Sequence, residues 1–214
     1  MSTTTSLAKP ILLSDWTRTS WTKAAIYTLG MTPAAFAFYL AFTDQLGAEP
    51  VKGLERAIGL VGLRFLVIGL AITPLRKLGG PNLVRYRRAI GLVAFANALI
   101  HVGVYVWLDQ DLNLLAILAD LIKRPYITIG MLSFLILLPL AITSNTAMIK
   151  RLGAGLWQKL HKWVYLAVMA ALVHFMLLVK VIPTELWLYM AATCLLLGFR
   201  VWDAYYPVRP ARRS

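Results

Sequence analysis

Six apolar runs of bilayer-spanning length, separated by short loops that carry most of the charge, constrain this chain more than any other feature. They fall at roughly 21–43, 56–75, 86–108, 125–146, 157–179 and 183–203, each near the ~20 residues that cross a hydrocarbon core. Inside lipid every backbone N–H and C=O must be satisfied within its own segment, so runs of this length fold as helices. The composition agrees: 59% of the 214 residues are hydrophobic and 14% are charged, outside the range of ordinary soluble domains. The expected fold is therefore an all-α membrane protein, a six-transmembrane-helix bundle forming one domain over residues 1–214. A polar segment of about 1–20 precedes it and a short basic tail of about 204–214 follows. The first segment lacks the apolar core of a signal peptide, so the first run is expected to be kept as a helix.

The charges alternate from loop to loop. Lys9, Arg18 and Lys23 precede the first run, while Arg76, Lys77, Arg85, Arg87 and Arg88 follow the second. Lys150, Arg151, Lys159 and Lys162 follow the fourth, and Arg200, Arg209, Arg212 and Arg213 end the chain. The intervening loops hold Lys52, Arg56, Lys123, Arg124 and Lys180 together with seven of the nine acids. A basic excess on alternate loops marks the cytoplasmic side, so both termini are expected to be cytoplasmic. This pattern also accounts for the net charge of +13 through topology and lipid headgroups, with no nucleic-acid partner. Cys194 is the only cysteine, and no CxxCH, CxxC or HExxH occurs, which excludes covalent c-type haem and the common cysteine-based zinc sites. Arg64 lies deep within the second run; either it snorkels to the interface or it binds an anionic group such as a haem propionate. Asn97, Ser133 and Ser144 read as interhelical hydrogen-bonding residues.

All three histidines lie within apolar runs: His101 in the third, His161 and His174 in the fifth. The third and fifth spans run in the same direction. At 1.5 Å per residue, His174 stands about 20 Å beyond His161 along the fifth, level with His101 near the periplasmic end of the third. Two neutral imidazoles at one depth on neighbouring helices suit axial ligation of haem iron. His161 has no histidine opposite; Arg87, fourteen residues before His101, shares its depth and returns within ~40° of the His101 face. The 13-residue spacing on the fifth span leaves His161 and His174 ~140° apart, so a tilt or local tightening of that helix is expected if both serve one stack.

Several stretches carry a resemblance: GAEPVK at 47–52, ITPLRK at 72–77, RYRRAIGL at 85–92, RPYITIG at 124–130, TSN at 143–145, and LGAGLWQKLHKWVYL from 152 continuing to HF at 174–175. Across nearly its whole length the chain resembles the ferric-reductase-like transmembrane cytochromes b. Among these it is most similar to the haem-binding membrane subunits of periplasmic methionine sulfoxide reductases. The resemblance implies a haem b held by His101 and His174, with His161 available to a second, and attributes FMN to the family at a site no motif here locates. It also implies electrons passing from quinol to a periplasmic molybdopterin-dependent methionine sulfoxide reductase catalytic subunit. The chain departs from the superfamily's paired histidines at Arg87 and Arg88, and carries no flavin or nicotinamide domain of its own. The expected function is thus electron transfer, without substrate chemistry beyond oxidising quinol or reduced flavin. Asp109, Asp111 and Asp120, with Lys123 and Arg124, form either the docking face for the partner or an ordinary solvated loop. The competing reading is a small transporter or proton channel that uses His161, His174 and Arg64 as intramembrane polar groups.

Overall fold

The computed structural model describes residues 13–206, with side chains from residue 21 onward. The basic side chains Lys9, Arg18, Arg209, Arg212 and Arg213 lie outside the described part. All regular structure within it is helical: α1 (Leu13–Phe42), α2 (Pro50–Lys77), α3 (Arg87–Val104), α4 (Leu114–Lys123), α5 (Pro125–Ile142), α6 (Thr146–Leu152), α7 (Ala154–His161), α8 (Val164–Leu178) and α9 (Thr184–Tyr205). Six stretches are long and apolar enough to cross a membrane: Trp21–Phe42, Pro50–Lys77, Val84–Asp109, Pro125–Ile142, Ala154–Leu178 and Thr184–Tyr205. They correspond one to one with the six runs in the sequence.

The edges differ for local reasons. The second span starts six residues before the expected position because Pro50 sits at the first helical position, where its missing N–H costs nothing. The fourth ends at Ile142, where the Thr143 hydroxyl turns back to the Pro139 carbonyl at 2.7 Å. Gly153, with φ of 77°, separates α6 from α7, a backbone conformation suited to glycine. The third span ends in a π-helical turn over Tyr105–Asp109. Such turns insert an extra residue and redirect the side chains that follow.

α2 is the central helix, packed against α1, α3, α8 and α9. The main core joins Leu63, Leu66 and Leu70 of α2 to Ala94 of α3, Leu137 of α5, Val168 and Leu172 of α8, and Leu186 of α9. A second cluster seals α1 to α2 and α3 through Ala34, Ala37, Leu54, Ile58 and Val104. Leu29, Phe36, Leu135, Leu195 and Val201 point outward, as lipid-facing side chains do. Polar groups inside the bundle bridge helices. Buried Ser133 donates from α5 to the Ala167 carbonyl of α8 at 2.8 Å. The Asn97 amide donates to Val93 of its own helix and, at 3.4 Å, to Gly30 of α1. Gly30 permits that approach, since a Cβ there would meet Val93 at 2.5 Å.

Candidate functional site

The main core packs both α3 and α8 against α2, and α5 bridges the two, which brings His101 and His174 together across a cavity. Their ring centres are 6.2 Å apart with planes at 73°. Each ring is fixed by the same device. His101 Nδ1 lies 2.9 Å from the Glu55 carbonyl oxygen of α2, and His174 Nδ1 lies 2.6 Å from the Tyr126 carbonyl oxygen of α5. A carbonyl oxygen can only accept, so both Nδ1 atoms carry the proton and both Nε2 lone pairs are left for a ligand. A carbonyl behind a ligating histidine orients the ring and raises its basicity.

A glycine stands four residues after each carbonyl, at Gly59 and Gly130. A Cβ at Gly59 would come within 3.1 Å of His101 Nδ1, and one at Gly130 within 2.7 Å of His174 Nδ1. The arrangement is therefore duplicated, ERAIG of α2 cradling the imidazole of α3 and YITIG of α5 cradling that of α8.

The two rings face a cavity of about 220 Å³. Its inner wall is apolar, with Leu63, Leu66, Phe134, Leu137 and Phe175, and its mouth carries Lys52, Glu55, Arg56, Asp109 and Arg124. A metal–imidazole bond is about 2.0–2.1 Å long and a ring nitrogen lies about 1.2 Å from its centre. Imidazoles ligating one iron from opposite sides thus have centres about 6.4–6.6 Å apart, within a few tenths of an ångström of the spacing observed. Among the described residues no three His, Cys, Asp or Glu side chains converge on a point. Two axial nitrogens with an apolar slot between them suit a metal whose other ligands arrive with it, as in haem.

Of the other predicted residues, His161 lies apart from this cavity. It ends α7, with Nδ1 3.0 Å from the Trp157 carbonyl oxygen, Nε2 3.2 Å from Ser144 Oγ, and its ring stacked on Trp157 at 3.9 Å. The Ser144 hydroxyl also reaches the Leu140 carbonyl oxygen at 2.7 Å, so its single proton serves two acceptors. The fifth span tightens locally between its two histidines. Between α7 and α8, Lys162 N–H donates to Lys159, Trp163 to Leu160 and Tyr165 to Lys162, all three residues back. A 3₁₀ turn advances about 120° per residue against 100°, so three such residues reduce the ~140° offset to ~80°.

Arg87 is half-buried, acts electrostatically on both His161 and Arg200, and makes no hydrogen bond or ion pair among the described residues. Nearby, Arg200 bonds the Tyr165 hydroxyl and the Leu70 carbonyl, yet its Nε is buried without an acceptor. Arg64 points away from the cavity towards α9, where Nε donates to the Tyr189 hydroxyl at 2.8 Å and Nη2 lies 3.6 Å from Glu185. The α2 arginine that faces the cavity is Arg56, eight residues earlier and about 80° around the helix. Sequence reasoning counted Arg56 only as a loop charge and missed both carbonyl–glycine cradles. The available signal was a glycine at histidine depth in two separate spans, a residue chosen where another group comes close.

Residues 58–172 match the family described as the ferric reductase like transmembrane component. Relatives named "Protein-methionine-sulfoxide reductase heme-binding subunit MsrQ" from Brucella ovis, Brucella canis and Brucella melitensis are each 49% identical over 194 residues. The aligned region covers 90% of this chain and 88% of each relative. Six apolar helices, a paired-histidine cavity between α3 and α8, and identity at this level lead to one conclusion: the chain is a multi-pass membrane protein belonging to the ferric reductase-like transmembrane family, in its MsrQ group.

Proposed function

We propose that this protein is the b-type cytochrome subunit of a methionine sulfoxide reductase system in a bacterial inner membrane, with both termini cytoplasmic. In this reading it takes electrons from quinol or from reduced flavin, FMN being the flavin the resemblance implies. It delivers them to a periplasmic molybdopterin-dependent catalytic subunit that repairs oxidised methionine. The observation that carries the reading is the His101–His174 pair at 6.2 Å, with both Nδ1 protons committed to backbone carbonyls.

Haem b, when bound, supplies a one-electron carrier. The chain's own residues do the rest. His101 and His174 would hold the haem through their Nε2 atoms, and the Glu55 and Tyr126 carbonyls keep the rings from rotating away. Leu63, Leu66, Phe134, Leu137 and Phe175 exclude water. Arg56 and Arg124, at the mouth, would supply cations for carboxylates of the bound group. A second haem towards the cytoplasm would have His161 as its single histidine, and the unpaired Arg87 near it would supply a counter-charge.

Purified protein is expected to give reducible b-type bands with a low-spin, six-coordinate signature that His101→Ala and His174→Ala each abolish. A colourless protein would instead support a transporter. In vesicles of known sidedness, a quinol analogue should reduce the haem. The catalytic subunit with methionine sulfoxide should reoxidise it from the periplasmic face; reoxidation from the cytoplasmic face alone would overturn the orientation and route.

A further inference from the structure

A second cavity, of about 210 Å³, opens at the opposite end of the bundle from the α3–α4 connection. Lys23 and Tyr27 of α1, Arg85 and Arg88 at the start of the third span, and Ser144 and Asn145 after α5 line it. The lining holds three cations and no carboxylate. Arg85 is exposed and lies over the Tyr86 ring at 4.8 Å. Lys23 and Arg88 are half-buried, and neither makes a hydrogen bond or ion pair among the described residues. Elsewhere in the bundle, Lys77 pairs with Asp203 and Arg200 bonds Tyr165 and Leu70, while half-buried Arg76 and Arg87 make no hydrogen bond or ion pair among the described residues but do not line this cavity. Two unpaired cations converging from different helices on one concave site are costly unless an anion completes them. The hydroxyl and amide groups of Tyr27, Ser144 and Asn145 add neutral polar groups to the same wall.

We propose that this cavity binds a phosphate group. Basic pockets between transmembrane helices at the cytoplasmic leaflet suit lipid phosphates, and Arg and Lys together suit phosphate oxygens generally. The cytoplasmic placement rests on the orientation given above; the charge argument does not. Ser144 lines the cavity and also touches His161 Nε2, so an occupant lies one hydroxyl away from that imidazole.

The full-length protein is placed in phosphatidylcholine nanodiscs doped with phosphatidylglycerol, and native mass spectrometry counts the phosphatidylglycerol retained per chain. In parallel, the detergent-solubilised protein is titrated with inorganic phosphate by calorimetry. K23Q/R88Q should weaken binding about thirtyfold, the effect of removing two cations at headgroup level. K150Q/K159Q removes the same charge from exposed positions at the same end of the bundle and should bind as wild type. K23R/R88K keeps both cations and should bind normally, which separates lost binding from lost folding. Retention of phosphatidylglycerol without a response to inorganic phosphate assigns a lipid diester; a calorimetric response assigns free phosphate as a ligand. Equal losses in K23Q/R88Q and K150Q/K159Q, full binding by K23Q/R88Q, or no binding in either arm overturns the proposal, and none of these results bears on the histidine pair.

Discussion

Gly130→Ala tests the histidine cradle most sharply. The added Cβ would stand 2.7 Å from His174 Nδ1 and 2.9 Å from Cε1, where ordinary contact begins at about 3.4 Å. The ring must retreat by roughly 0.7 Å, yet Nδ1 is held 2.6 Å from the Tyr126 carbonyl on the same helix as the new methyl. Displacing the ring loses much of that bond, about 1 kcal/mol. Overpacking beside a constrained ring adds about 1–3 kcal/mol. The total of about 2–4 kcal/mol corresponds to a haem affinity lower by about thirtyfold to a thousandfold. Gly59→Ala makes the same change in the other cradle, but its Cβ would be 3.1 Å from His101, a strain of only about 0.3 Å. It should cost less than about 1 kcal/mol. Gly91→Ala, with nothing within 4 Å, is the control. Alanine favours a helix over glycine by up to about 1 kcal/mol, so none of the three should destabilise the haem-free fold through the backbone. The assays are haem per chain by pyridine haemochrome, haem transfer to apomyoglobin, and thermal unfolding of haem-free protein. Wild-type haem content and spin state in Gly130→Ala, or a larger loss in Gly59→Ala than in Gly130→Ala, would refute the cradle geometry.

Arg56→Gln should shift the midpoint potential of the His101–His174 haem downward, because a lost cation at the cavity mouth disfavours the added electron; Arg64→Gln, directed at Tyr189 and Glu185, should leave it in place. Potentiometric titration compares the two, and the reverse ranking counts against the assignment. His161→Ala should lower the haem count by one while leaving the low-spin His101–His174 spectrum intact; an unchanged count in fully loaded protein removes the second site. Ser133→Ala deletes one interhelical bond to Ala167 and should cost about 0.6 kcal/mol in a denaturation series, too little to release haem.

The number of spans, their order, and the common depth of His101 and His174 were all readable along the chain. These depend on local quantities, namely the apolar length that crosses a bilayer and a rise of 1.5 Å per residue. The ~140° offset left by the 13-residue spacing on the fifth span was also readable, and the three-residue hydrogen bonds around Trp163 reduce it to ~80°. Which face of each helix meets which neighbour was not local. Arg64 and Arg56 both lie on α2, and only the packing of α9 on one side and the histidine cavity on the other gives them different partners. The same holds for Gly59 and Gly130: as letters they are two glycines among 14, and they become cradles only when α3 and α8 press imidazoles against them. Rotation about a helix axis barely changes the burial of an apolar segment in lipid, so hydropathy is nearly blind to it. Close contacts and interhelical hydrogen bonds set that rotation, and they exist only once the bundle has assembled.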